Sequence, residues 1–154
     1  MKKWAALDAW KAAVAKGETP PEGNLRKAFI ADEIKQVEGE ARSIQFTIST
    51  GSVDRDKDTV NPDGWKLAAY KKNPVVQWAH DYSAPPIARA TKIKVQDGKL
   101  VSTAEFVPGE VSPFAEMIYQ MVKGGFLNAT SVGFRASKWN YNEDRRGVDF
   151  LEQE

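Results

Sequence analysis

The stretch VVQWAHDYS, residues 75–83, holds His80, which is the only histidine in a chain that has no cysteine. Imidazole is the side chain whose ordinary pKa lets it move a proton near pH 7. If the chain works by histidine-assisted proton transfer, His80 is the residue that does it. A serine hydroxyl is a weak nucleophile until a neighbouring base takes its proton, and an imidazole is suited to that task. Among the serines, Ser131 in NATSVGF (128–134) stands out. It lies in a stretch otherwise built like a core strand, and Gly133 follows, a residue that lets another group approach the backbone closely. A structural histidine and a backbone-bonded serine would give the same residues, so spacing alone leaves both readings open.

Other chemistries find less support. Asp54, Asp56 and Asp58 alternate as in a calcium loop, but the sixth and twelfth positions, where such a loop needs glycine and glutamate, hold Thr59 and Trp65. The stretch reads instead as a solvated loop whose aspartates fix turns. One histidine without cysteine does not make a catalytic zinc site. No glycine-rich phosphate loop follows a strand. Neither metal nor cofactor is expected.

The elements that must position His80 and Ser131 are mostly strands. Residues 2–16 read as a helix, with Trp4, Leu7, Trp10 and Val14 at three- and four-residue steps and Gly17 past its end. The helix docks its tryptophan face on a core or a partner. ETPPEGN (18–24) is a linker, which divides the chain into an N-terminal helix and linker (1–24) and a main domain (25–154). KAFIADEIKQV and ARSIQFTIST read as a hairpin around EGE, with Ile44, Phe46 and Ile48 on one face. NPDGWKLAAYKKN carries a short helix that must stop before Pro74. VVQWA is a short buried strand. Asp97-Gly98 joins two strands in a tight turn. Ser112-Pro113 opens a second clear helix, whose apolar stripe is Phe114, Met117, Ile118, Met121 and Val122. FLNATSVGFRASKWNY is one long strand and VDFLE the last.

Composition narrows the class. At 154 residues the chain is one domain by length, with enough chain to bury a core. Its 22 basic and 21 acidic residues nearly cancel, so charge gives no argument for nucleic acid or an anionic membrane as partner. No apolar run approaches the ~20 residues of a membrane span. MKKWAALDAW begins like a signal peptide, but Asp8 and Lys11 fall where its apolar region should be.

Taken in order, the motifs resemble the HK97-type prohead proteases of tailed phages. The run is Asp54-x-x-x-Asp58, Asn61-Pro62-Asp63-Gly64-Trp65, Pro74-Val75-Val76 leading to His80-Asp81, and Pro86-Ile87-Ala88-Arg89. It continues with Asp97-Gly98-x-Leu100, Lys123-Gly124-Gly125-x-Leu127 and Ser131-Val132-Gly133-Phe134. The resemblance covers about residues 44–136. It implies a mainly β fold like that of the herpesvirus assemblins, an antiparallel barrel with a few helices around it. It also implies a serine endopeptidase that cleaves capsid and scaffold protein, and often itself, inside the assembling prohead in the host bacterial cytoplasm. The family nucleophile falls on Ser131 and the family histidine on His80. The major capsid protein and scaffold would be its partners, and self-association is expected of assemblin-like proteins. Assemblins use a second histidine, which this chain lacks. A carboxylate must replace it, or the pair works alone. Glu105 is the first candidate, with Asp81, Asp149, Glu152 and Glu154 behind it. Backbone amides or a turn near Arg145-Arg146-Gly147 could stabilise the oxyanion. Family members continue past Phe150-Leu151-Glu152-Gln153-Glu154 with another strand, so a processed or truncated form is one expectation here. A non-catalytic capsid-assembly domain, binding through Trp4, Trp10 and strand edges, is the competing function.

Overall fold

The computed structural model describes residues 4–30 and 34–154. Among the described residues, ten strands and two α-helices form in the order α1 (Leu7–Ala15), β1 (Leu25–Ile30), β2 (Ile34–Gln36), β3 (Ser43–Thr50), β4 (Thr59–Val60), β5 (Val75–Val76), β6 (Ala88–Gln96), β7 (Lys99–Phe106), α2 (Pro113–Lys123), β8 (Ala129–Phe134), β9 (Ala136–Asn142) and β10 (Gly147–Gln153). The middle of the hairpin strand expected over KAFIADEIKQV lies outside the described residues. Its two ends form β1 and β2, which belong to different sheets.

Helix α2 begins as the sequence prescribes. The Ser112 hydroxyl accepts from the Ala115 N–H at 3.1 Å, and Pro113 follows it. Its inner stripe of Ala115, Ile118 and Val122 packs on Ile44, Phe46, Ala104 and Phe106 of the sheet formed by β2, β3, β7, β6 and β5. Burying a side chain such as Ile118 contributes about 1.5–3 kcal/mol. Phe114 and Met117, read from the sequence as part of that stripe, are exposed. A second core joins Trp10 and Val14 of α1 to Leu25, Val60, Phe134, Val148 and Phe150. Here β10 pairs antiparallel with β9 and parallel with β4, while β1 and β8 form a separate antiparallel ribbon.

The barrel expected from the resemblance is not closed. A barrel needs one ladder running round the whole sheet. Here the strands divide among three sheets, and β8 meets β3 through a side chain, the Thr130 hydroxyl on the Thr47 carbonyl, rather than through a ladder. The long strand expected over FLNATSVGFRASKWNY changes partner at Arg135, pairing with β1 before it and β10 after it. Arg135 exchanges both of its backbone bonds with Glu154.

Two other elements differ from expectation. The N-terminal helix starts at Leu7 rather than Lys2, and Trp4 sits outside it, bridged in parallel to Asn24. The helix expected after Asn61 becomes two 3-10 turns, Pro62–Gly64 and Tyr70–Lys72. Between them Lys66 spends its N–H on the Gln153 carbonyl at 2.8 Å, which ties this stretch to the end of β10. Among the described residues no helix is long and apolar enough to cross a membrane.

Candidate active site

His80 is carried by a tight turn beyond β5. The Asp81 N–H closes the turn on the Trp78 carbonyl at 2.8 Å. Both central residues are left-handed, Ala79 at φ +49° and His80 at φ +56°. That is the pattern of a type I′ turn, which normally draws glycine or asparagine. Without a glycine, each such residue costs about 1–2 kcal/mol. Asp81 stabilises the loop beyond, accepting from the Ser83 N–H and hydroxyl at 2.8 and 2.5 Å. These bonds hold its carboxyl below the usual range.

Ser131 stands on β8, opposite Ala28 of β1. Alternation sends Val132 and Phe134 to the second core and leaves Ser131 on the outer face. The turn and the strand bring the two candidate residues together. The Ser131 Oγ lies 2.8 Å from His80 Nε2, although they are 51 positions apart in sequence. Burial, and then the Arg26 guanidinium, lower the His80 pKa from 6.5, which favours the neutral ring. When Nε2 accepts the serine proton, Nδ1 carries the ring hydrogen.

The other expected site residues lie elsewhere. Glu105 faces outward from β7 and accepts from Arg89 Nε at 2.6 Å, its opposite number on β6. Asp149 binds the Thr59 hydroxyl at 2.5 Å and the Arg145 guanidinium. Glu152 pairs with Lys66 and Glu154 with Arg135. Among the described residues, no carboxylate forms a hydrogen bond or ion pair with the His80 ring. The turn at Arg145-Arg146-Gly147 closes on the aspartate loop instead. Gly147 packs so tightly on the Lys57 carbonyl that a β-carbon would stand 1.7 Å from its oxygen.

The aspartates converge, but on a lysine. Lys27 Nζ lies 2.8 Å from Asp54, 2.9 Å from Asp56 and 2.6 Å from Asp58. Lys11 of α1 adds a second ammonium, 2.8 Å from Asp58. The cations fill the place that a metal ion would take. Asp54 also accepts from the N–H groups of Asp56 and Asp58, so the turn-fixing role read from the sequence holds. The loop is not fully solvated: Asp58 is wholly buried and also receives the Val148 N–H at 2.8 Å. Burial works against the Lys27 charge, but the three carboxylates outweigh it and raise its pKa above 10.5.

Arg26 carried no functional signal in the sequence, and Trp4, read there as a binding residue of the helix, stands near the pair instead. Arg26, opposite Gly133 on β1, places its guanidinium 4.8 Å from the centre of the Trp4 ring. The same Trp4 ring meets His80 edge-on at 5.2 Å and Tyr82 at 6.3 Å. Strand register, which sequence spacing does not reveal, brings them here.

Comparison with known proteins finds two phage relatives. The chain is 32% identical over 132 residues to a capsid polyprotein of Pseudomonas phage PAJU2, covering 83% of this chain and 19% of that one. It is 29% identical over 118 residues to a prohead protease of Escherichia phage T5, covering 71% of this chain and 54% of that one. The chain thus spans about a fifth and about half of the lengths of these relatives. No family model and no solved structure matches. The similarity supports a prohead-protease-like chain from a phage capsid context.

Proposed function

We propose that this chain is a serine endopeptidase of phage prohead maturation, with Ser131 as nucleophile and His80 as general base. The observation that carries the reading is the 2.8 Å contact between Ser131 Oγ and His80 Nε2. In the reaction the neutral imidazole takes the hydroxyl proton as Oγ attacks a peptide carbonyl. The imidazolium then gives that proton to the leaving amine, and the same ring activates the water that releases the acyl group. Glu105 stays outside the reaction, neutralised by Arg89, and the pair works as a dyad. The substrates are capsid and scaffold polypeptides, cleaved within the assembling prohead in the bacterial host, where self-association would bring copies together. Similarity to part of a capsid polyprotein favours a substrate carried in the same polypeptide.

The test is intact mass after incubation with a fluorophosphonate. One adduct is expected, on Ser131, and it should be lost in Ser131→Ala and His80→Ala. An unlabelled wild-type chain that is folded by circular dichroism overturns the reading for residues 1–154.

The second reading is a non-catalytic capsid-assembly domain. Exposed Trp78, Phe114 and Met117 favour it, with Trp78 and Phe114 in edge-to-face contact at 6.0 Å. Trp10 cannot serve it, because that ring is 3% exposed.

A further inference from the structure

The chain's own Trp4 lies against His80 of the candidate pair, and one glycine makes room for it. A β-carbon on Gly133 would stand 2.6 Å from Cη2 and 3.1 Å from Cζ3 of Trp4, but an ordinary 3.4 Å from Cε1 of His80. Gly133 does not have the left-handed φ that would call for glycine. Glycine weakens a strand interior and often marks close approach by another group. Its missing side chain serves the tryptophan ring, not the imidazole. Around that ring stand Arg26, within cation–π distance, with His80 and Tyr82 in aromatic contact. Two residues before Gly133 on the same strand face is Ser131.

The backbone that carries the ring is tied to Asn24. Trp4 bridges Asn24, and the Ala5 N–H donates to the Asn24 carbonyl at 2.9 Å. Helix α1, anchored by buried Trp10, begins only at Leu7. Ala5 packs against the second core, so the Trp4 ring stands one residue outside that anchor.

We propose that Gly133, His80, Tyr82 and Arg26 form a subsite for a flat aromatic side chain of a bound polypeptide, and that Trp4 occupies it in the free protein. This rests on the peptidase reading for what the bound chain then undergoes. Trp4 is an internal competitor: substrate enters as the N-terminal segment leaves. If the occupied form holds nine parts in ten, substrate affinity is reduced roughly tenfold.

The test uses the full chain, Trp4→Ala and Trp4→Phe, with acetyl-Lys-Lys-Trp-Ala-amide added as a separate peptide. Trp4→Ala should be phosphonylated on the order of ten times faster by the fluorophosphonate, with Trp4→Phe between it and wild type. The peptide should slow Trp4→Ala back toward the wild-type rate and shift the Gly133 and His80 amide resonances. The same peptide with alanine in place of tryptophan should do neither. Equal phosphonylation rates in all three chains, with no response to peptide, overturn the subsite and leave the peptidase. Slower phosphonylation of Trp4→Ala without rescue by peptide makes Trp4 a fixed wall and also overturns it. Because peptide binding is read by resonance shifts, a chain that binds peptide but is never phosphonylated keeps the subsite and sinks the peptidase reading.

Discussion

At the scale of single residues, the state of His80 is set by what covers it. Burial and the Arg26 guanidinium both disfavour the imidazolium, so its pKa falls below 6.5. Acylation of Ser131 should therefore rise with pH along a limb centred below 6.5 and stay flat above it. Arg26→Gln removes one cause, and the midpoint should move up toward 6.5; an unmoved midpoint would mean the charge is not felt. The same shift touches stability. A base whose pKa is lowered on folding contributes fully above its unfolded value of 6.5, and that contribution is lost as pH falls through that value toward the lower folded one. The backbone beneath the ring is strained at Ala79, which is left-handed without being glycine. Ala79→Gly should raise stability by up to about 1 kcal/mol in urea unfolding, since relief of the left-handed cost exceeds the entropy of glycine. A loss there would place the strain elsewhere. His80 and Ser131 stood out as candidates because the chain offers one imidazole and one serine in a glycine-marked strand. The pairing of Glu105 with Arg89 was not legible, because alternation puts Glu105 on the outer face of β7 but does not say that Arg89 lies opposite.

Between elements, charge does what a continuous sheet would otherwise do. Strand β1 is the ladder partner of β8, and its Lys27 reaches inward to the three aspartates of the loop before β4. That loop in turn binds the Val148 N–H of β10. Lys27→Met should cost about 3–5 kcal/mol, because it leaves carboxylates buried without their cation. Asp58→Asn added to it should recover part of the loss, a coupling that a double-mutant cycle measures. Additive losses would mean that the ammonium and carboxylate act separately. The raised Lys27 pKa adds a pH signature: this contribution is present below pH 10.5 and is lost as pH climbs through the higher folded value. The alternating aspartates were read as a solvated, turn-fixing loop, and their convergence was missed because their counter-charges come from 27 and 43 positions upstream of Asp54, from Lys27 and Lys11, beyond the reach of local pattern. Caps and turns were read more fully, as at Ser112 and Asp97-Gly98, because their causes are contained within a few residues.

For the whole molecule, the N-terminal helix belongs to the packing that supports the site. Trp10 meets Trp139 at 4.9 Å and Phe150 at 5.4 Å, and Phe150 meets Phe134 at 5.2 Å. Phe134 is the last residue of the strand that carries Ser131. Trp10→Ala should cost about 3–5 kcal/mol and lower the thermal midpoint accordingly. A loss below about 1 kcal/mol would mean the helix is only loosely associated. The proline-bearing linker suggested an appendage, and linker composition reports how a segment is joined, not where it docks. The same limit explains the barrel. The alternation of the main strands was legible, but their number and closure depend on where strands break and which edges pair, and three sheets form where one was expected.

The ribbon of β1 and β8 is the smallest of those sheets. A two-stranded unit has little stability of its own, and proteins open in cooperative pieces, the weakest first. On warming, amide protons of β8 should exchange with solvent well before those at the centre of the five-stranded sheet. Ser131 would then lose its alignment with His80 while most of the backbone remains in place, so on the peptidase reading its labelling by the fluorophosphonate would be lost ahead of melting.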